Sequence, residues 1–402
     1  MAQAKKKART EELLAARCTS VSDSAFSRVL QQVNLHPILL ELTDARRQLQ
    51  QPVAQQFNET CVTLQLPLIS GGNLPWRVLD LGKALRLFVS KSVAYKELMQ
   101  RTTRQHGHTL HVLIVHDEIA AGSVLRSDNR RKFTPFYMAF SEFELALQSE
   151  YSWIPLAIIT HGDVSLVAGG MSAVVRVLLR SLMLGETSAA IQGIVLPLDT
   201  PTLVFIRLSP LLLDEAAVKS TFDCKGAAGL RPCLCCKNVV ATNADLARHD
   251  ATGYLVDIAE VDSRKFDLSS NNDIWEVLDN LSAQQPFLNV GQMDTLCKAS
   301  GFNINKDGLL WDRELRPCLP YPLQRWDGMH CLFSHGVAST EMVVFLDACK
   351  RKVKVTFKDL EAFCCAAWMN QPGRKVDFKT IFRRSGKSTL HRTVRGRAQH
   401  QT

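Results

Sequence analysis

The run Leu110-His-Val-Leu-Ile-Val-His-Asp-Glu-Ile119 ends an apolar, β-branched stretch on two adjacent carboxylates, Asp117 and Glu118. About six residues rich in Val, Ile and Leu read as a buried strand, and acids placed where such a strand leaves the core are poorly suited to packing. Carboxylates there can hold a divalent cation through oxygen ligands; the alternative is an Asp that closes a turn. A second acid, Asp214, follows Leu211-Leu-Leu, with Glu215 beside it. Two carboxylates on neighbouring strand ends can share Mg²⁺ or Mn²⁺, and a pair of such ions can activate water and stabilise a leaving 3′-oxygen in phosphodiester chemistry. Against that reading stands capping of a helix over 215–222, which spacing alone favours.

Other clusters carry different chemistry. In Leu230-Arg-Pro-Cys-Leu-Cys-Cys236, Cys233 and Cys236 stand in C-x2-C spacing inside a turn, the arrangement that lets two thiolates reach one Zn²⁺. A structural zinc needs four ligands. His330 and His335, spaced H-x4-H, can supply the other two, with Cys224, Cys235 or Cys331 as substitutes; the alternative is a set of buried reduced thiols. The loop Arg126-Ser-Asp-Asn-Arg-Arg-Lys132 offers Arg126, Arg130, Arg131 and Lys132 to phosphate. Gly386-Lys-Ser-Thr389 has the end of a phosphate-binding loop, but Ile381 stands where its first Gly belongs.

The elements that must position these residues follow from periodicity. Strands are expected to end near Val115, Phe140, Ile159 and Leu208, and to lie in one sheet with Asp117 beside Asp214. Apolar residues at helical spacing over 170–185 suit a crossover helix, and the amphipathic run 76–99 reads as one or two helices. Residues 10–17, 24–33 and 37–50 read as helical stretches rich in Gln and Ser. The organisation expected is a helical, partly loose segment over 1–108, an α/β domain over 109–347 with a mixed sheet flanked by helices, and a basic disordered tail over 348–402.

Composition bounds the function classes. The chain has 402 residues, is 46% hydrophobic and has a mean hydropathy of −0.03, values normal for a globular protein. No window holds about 18 uninterrupted apolar residues, so no membrane span is expected. The start is basic and leads into polar sequence rather than an apolar signal core, which points away from secretion and towards a nuclear or cytoplasmic protein; Lys5-Lys-Lys-Ala-Arg9 could serve as a nuclear address. The net charge of +9 belongs to one end. Residues 350–402 hold 14 Lys and Arg against 3 Asp and Glu, a net of +11, so the rest of the chain sums to −2. Such a tail, with Arg383, Arg384, Lys387, Arg392, Arg395 and Arg397, attracts phosphate backbones without reading sequence, or is simply a solvated terminus.

Taken together, Asp117 with its basic turn, Asp214 about a hundred residues on, the C-x2-C and Trp326-Asp-Gly-Met-His-Cys-Leu-Phe-Ser-His-Gly-Val337 resemble cut-and-paste transposases of the CACTA-like group. The likeness is nearest to transposon-derived reading frames with Asp-Glu, Arg-x-Asp-Asn-Arg-Arg-Lys, Lys-Gly-Ala-x-Gly-Leu-x-Pro-Cys-Leu-x-Cys and Asp-x-Met-His-Cys signatures, which stand here at 117–118, 126–132, 225–236 and 327–331. It covers about residues 109–347. The resemblance implies an RNase H-like fold in which three acids bind Mg²⁺ or Mn²⁺ and cleave DNA strands, with Asp117 first and Asp214 second. It also implies a third acid, a Glu in a basic helical motif, and here the chain departs from the pattern. Among the downstream acids only Glu341 or Glu361 offers a substitute. The expectation is therefore a truncated, transposase-derived protein that binds nucleic acid, most readily DNA, without a complete catalytic triad. The alternative is a non-enzymatic α/β interaction or structural protein whose acids are caps and whose cysteines are core.

Overall fold

The computed structural model describes residues 59–120, 132–185 and 188–327, with isolated positions between 341 and 359. The chain divides into two units, Met1–Val62 and Thr63–Thr402, and nearly all the described residues belong to the second.

Local sequence dictates the elements. β1 (Cys61–Pro67) and β2 (Asn73–Leu79) flank a turn at Gly71 and Gly72, both at positive φ where a side chain would be strained. Asp80 then caps α1 (Leu81–Lys91), accepting the Lys83 N–H at 2.8 Å, and Ser92 caps α2 (Val93–His106). The expected helical run over 76–99 therefore starts late. Trp76 and Val78 alternate into the core from a strand, and the Trp76 indole donates to the Ile158 carbonyl at 2.9 Å. Next come β3 (Thr109–His116), β4 (Ile119–Ala120), β5 (Lys132–Phe140) and β6 (Ile154–Thr160). Helices α3 (His161–Leu166) and α4 (Gly170–Met183) cross to β7 (Ile194–Leu196), β8 (Thr202–Leu208) and β9 (Leu211–Leu213), and α5 (Glu215–Phe222) follows. Short pieces β10 (Val239–Val240), α6 (Leu246–His249) and β11 (Val256–Asp257) precede α7 (Asn271–Gln284), α8 (Val290–Ser300) and β12 (Gln324–Trp326).

Ten strands form one mixed sheet in the order β1-β2-β6-β5-β3-β8-β7, with β4 on β5, β9 beside β3 and β12 on β9. β3, β5 and β6 are antiparallel neighbours, whereas β8 and β9 run parallel to β3 and β12 parallel to β9. The four expected strands thus share one sheet, and the protein is an α/β structure with a mixed sheet flanked by helices. Residues 63–108, grouped by sequence with the N-terminal segment, belong to the same compact unit, because β2 pairs with β6.

The core is apolar on the pattern's terms. Leu110, Val112 and Ile114 of β3 are buried with Phe136, Met138 and Phe140 of β5 and Ile154 and Leu156 of β6. The expected crossover helix is α4, whose Val174, Val175, Leu178, Leu179 and Leu182 are buried at helical spacing against β8 and α5. Each such side chain contributes about 1.5–3 kcal/mol by leaving water. Among the described residues no helix is long and apolar enough to cross a membrane.

Candidate functional site: strand-end acids and a cysteine turn

The parallel register brings the two sequence-selected acids together. Val115 of β3 pairs with Leu212 of β9, and two residues further along each strand stand Asp117 and Asp214. Neighbouring strands lie about 4.8 Å apart, and the two acids follow the ends of β3 and β9 at corresponding positions. Pro210 breaks β8 from β9 because it lacks an N–H, while the Ser209 N–H donates to the Val112 carbonyl at 2.9 Å and keeps both pieces alongside β3. The acids therefore sit at the carboxyl ends of parallel strands, beside the point where the sheet changes from antiparallel to parallel, the crevice where open α/β sheets hold ligands.

Their surroundings differ. Asp214 is half-buried and caps α5, with Oδ1 accepting the Ala217 N–H at 2.7 Å. The capping role that spacing favoured is thus present; it occupies one carboxylate oxygen. Asp117 is exposed, and its Oδ1 accepts the N–H of Glu118 at 2.7 Å. Glu118 is engaged at both oxygens, by the Lys132 ammonium of β5 and by His161 Nδ1 at 3.3 Å. Lys132, selected as a phosphate contact, is therefore paired with a carboxylate. Glu215 pairs with Lys219 one turn along α5, at 2.7 Å.

Beneath the acids lies His116, 4% exposed, with its ring centroid 5.0 Å from that of Phe136 and Nε2 2.9 Å from the Thr221 hydroxyl. Burial lowers its pKa to about 4, against the opposing pull of the Asp214 carboxylate.

A third acid joins this edge that the sequence offered only as part of a motif. Trp326 of β12 pairs with Leu213, and the next residue, Asp327, donates its N–H to the Leu213 carbonyl at 3.1 Å. Asp117, Asp214 and Asp327 thus follow the ends of three consecutive parallel strands. The signal was weak because β12 is only three residues long, too short for periodicity to mark. Among the described residues no group of three or more His, Cys, Asp and Glu side chains is arranged to hold a metal ion. Glu341 is exposed, and Glu361 lies outside the described residues.

The cysteine turn brings Cys233, Cys235 and Cys236 close together, while His330 and His335 lie outside the described residues. Hydrogen bonding from Cys235 first, and then from Cys236, holds the Cys233 thiol below the usual thiol range against the effect of burial. The same contact with Cys233, with burial, pushes Cys235 up, and burial first and then Cys233 push Cys236 up to about 12. Cys224 is buried, and burial pushes its thiol up, the environment of an inert core cysteine. Gln324, at the start of β12, is 3% exposed and directs its amide Nε2 at the Cys235 sulfur, 3.8 Å away.

The remaining sequence-selected residues, Arg126, Arg130, Arg131, His330, His335, Cys331, Arg383, Arg384, Lys387, Arg392, Arg395 and Arg397, lie outside the described residues. Compared with protein-family models and with curated proteins, the chain matches none.

Proposed function

We propose that this chain is a transposase-derived nucleic-acid-binding protein with an RNase H-like core, in which Asp117 and Asp214 hold a divalent cation against a phosphate without a complete catalytic triad. The observation that carries the reading is the parallel pairing of Val115 with Leu212, which puts these acids at corresponding positions just past the ends of β3 and β9. The strand order β6-β5-β3-β9-β12, three antiparallel strands followed by two parallel ones, supports it, as do the helices α3 and α4 in the crossover before β8. A bound Mg²⁺ or Mn²⁺ would supply charge neutralisation at a phosphate oxygen. The chain's own part is to present the free oxygen of Asp214, fixed by its cap, beside the exposed Asp117, and to bring a phosphate backbone near through its basic residues. Cys233 and Cys236 are the proposed zinc pair, with His330 and His335 as partners; metal analysis of the purified protein that finds no zinc removes that part.

The test of the main reading is a metal-dependent nicking assay on supercoiled DNA, run beside a binding titration in Mg²⁺ and in chelator. Binding strengthened by the ion, with no nicking, is the expected result. Nicking abolished by Asp117→Ala and by Asp214→Ala would show a working active site instead. A second reading, an α/β interaction protein, is favoured by the occupation of Asp214 Oδ1 as a cap and of both Glu118 oxygens in ion pairs. Absence of both nucleic-acid binding and cation binding selects it.

A further inference from the structure

We propose that His116, through its hydrogen bond to Thr221, is a positioning residue that sets Asp214 against Asp117, an inference that rests on the reading of these acids as a cation site. His116 immediately precedes Asp117 on β3, and one step beyond the Val115–Leu212 pair it stands opposite Leu213, which immediately precedes Asp214. Its Nε2 lies 2.9 Å from the hydroxyl of Thr221, a residue of α5 that is fully buried. Asp214 begins that same helix as its cap. One buried hydrogen bond therefore joins the strand that delivers the first acid to the helix that starts at the second.

The anchor continues inward. The Thr221 carbonyl accepts from the Ser172 hydroxyl of α4 at 2.8 Å, and that hydroxyl accepts the Leu309 N–H at 2.9 Å. Phe136 lies against the imidazole, with the ring planes tilted by 40°. An apolar side chain would fill the same volume at no desolvation cost, whereas a buried imidazole must be held by a partner. What the polar pair adds is orientation of α5 about the sheet edge. Groups bonded directly to a metal ligand change metal affinity by about 10–100-fold when lost; this anchor acts one step further out, through the helix that Asp214 begins, so the effect should lie at the low end of that range.

The test measures Mn²⁺ binding by the full chain, from the electron paramagnetic resonance signal of free Mn²⁺, with circular dichroism as the check on folding. His116→Phe and Thr221→Val should each weaken Mn²⁺ binding about tenfold. The double variant should be no weaker than either single, because both remove one interaction. His116→Gln, whose amide nitrogen stands near the position of Nε2, should recover most of the affinity. Should His116→Phe fail to fold, Thr221→Val, which loses only a hydroxyl, decides the matter. Native-like affinity in Thr221→Val, with Asp117→Asn and Asp214→Asn both abolishing binding, overturns the positioning role and leaves the acid site standing. Failure of the native chain to bind Mn²⁺ at millimolar concentration overturns both.

Discussion

Asp214 and Asp327 leave neighbouring parallel strands at the same rung, joined by the Asp327 N–H donating to the Leu213 carbonyl at 3.1 Å. Three residues before Asp327, on the same strand, the Gln324 amide meets the Cys235 sulfur. β12 thus connects the cysteine turn to the acidic sheet edge through a single short strand.

The two roles of Asp214 can be separated by substitution. Asn caps a helix about as well as Asp, whereas Ala loses about 1 kcal/mol of cap stabilisation. Asp214→Asn should therefore unfold in urea close to the native midpoint, while Asp214→Ala should lose about 1 kcal/mol. Both should lose Mn²⁺ binding equally. Retention of binding in Asp214→Asn would reduce Asp214 to a cap.

The buried His116 and the half-buried Asp223 act on stability with opposite sign over the same pH range. Burial holds His116 at about 4, below its ordinary 6.5, so its contribution is present above pH 6.5 and is lost as pH falls through 4. Asp223, at the end of α5, is raised by burial to about 6 from 3.8, against the opposing pull of the nearby Ser172 hydroxyl and of the Asn305 amide, which donates to Oδ1 at 2.9 Å, and its Oδ2 has no partner among the described residues. Its contribution is present below pH 3.8 and is lost as pH rises through 6. Each shift corresponds to about 3 kcal/mol at the far end of its window. Urea midpoints between pH 4 and 7 should show Asp223→Asn more stable than native at pH 7, with the gain shrinking as pH falls. His116→Phe should shift the other way, gaining on native as pH falls. Asn is well suited to position 223, where φ is +54°. Parallel pH curves for all three proteins would contradict the assignment.

Gly301 ends α8 at φ +85°, and a Cβ there would lie 2.5 Å from the Arg231 carbonyl oxygen. Arg231 leads into the cysteine turn, and the Lys225 N–H donates to the Gly301 carbonyl at 2.7 Å. Gly301→Ala should cost about 3 kcal/mol, combining a strained φ with displacement of backbone. Gly71→Ala has the same φ of +85° but nothing within 4 Å, and should cost only about 1 kcal/mol. Equal thermal midpoints for the two variants would show that the contact with Arg231 is not rigid.

How much of this was legible in the sequence follows from element length. β3, β5 and β6 carry apolar runs long enough to show and are buried nearly throughout or on both faces, while β8 and α4 carry periods that their burial follows. β2 was masked by its seven residues running almost directly into α1, with only Asp80 between them, so a strand's alternation merged with a helix's stripe. Asp117 stood out because acids contrast with a long apolar run. Asp327 did not, since its strand is three residues long and owes its place to pairing with β9 rather than to any pattern of its own. The His116–Thr221 bond joins residues 105 positions apart and left no trace in spacing.

The basic end of the chain should dominate nucleic-acid affinity. Residues 350–402 carry a net +11 against −2 for the remainder, so the core alone has no net attraction for phosphate. Neutralising phosphates releases condensed cations, and the logarithm of affinity then falls with the logarithm of salt at about −0.9 per phosphate on duplex DNA. Deleting residues 371–402 removes 9 Lys and Arg and 1 Asp, most of that charge. Fluorescence anisotropy on a duplex between about 50 and 200 mM salt should give a steep slope for the full chain and a markedly flatter one for the deletion. Asp117→Ala should leave the slope unchanged in chelator, because a cation held at the sheet edge is absent there. A slope that survives the deletion would move the phosphate contacts to the described fold or to Arg126, Arg130 and Arg131, and the tail would be a solvated terminus.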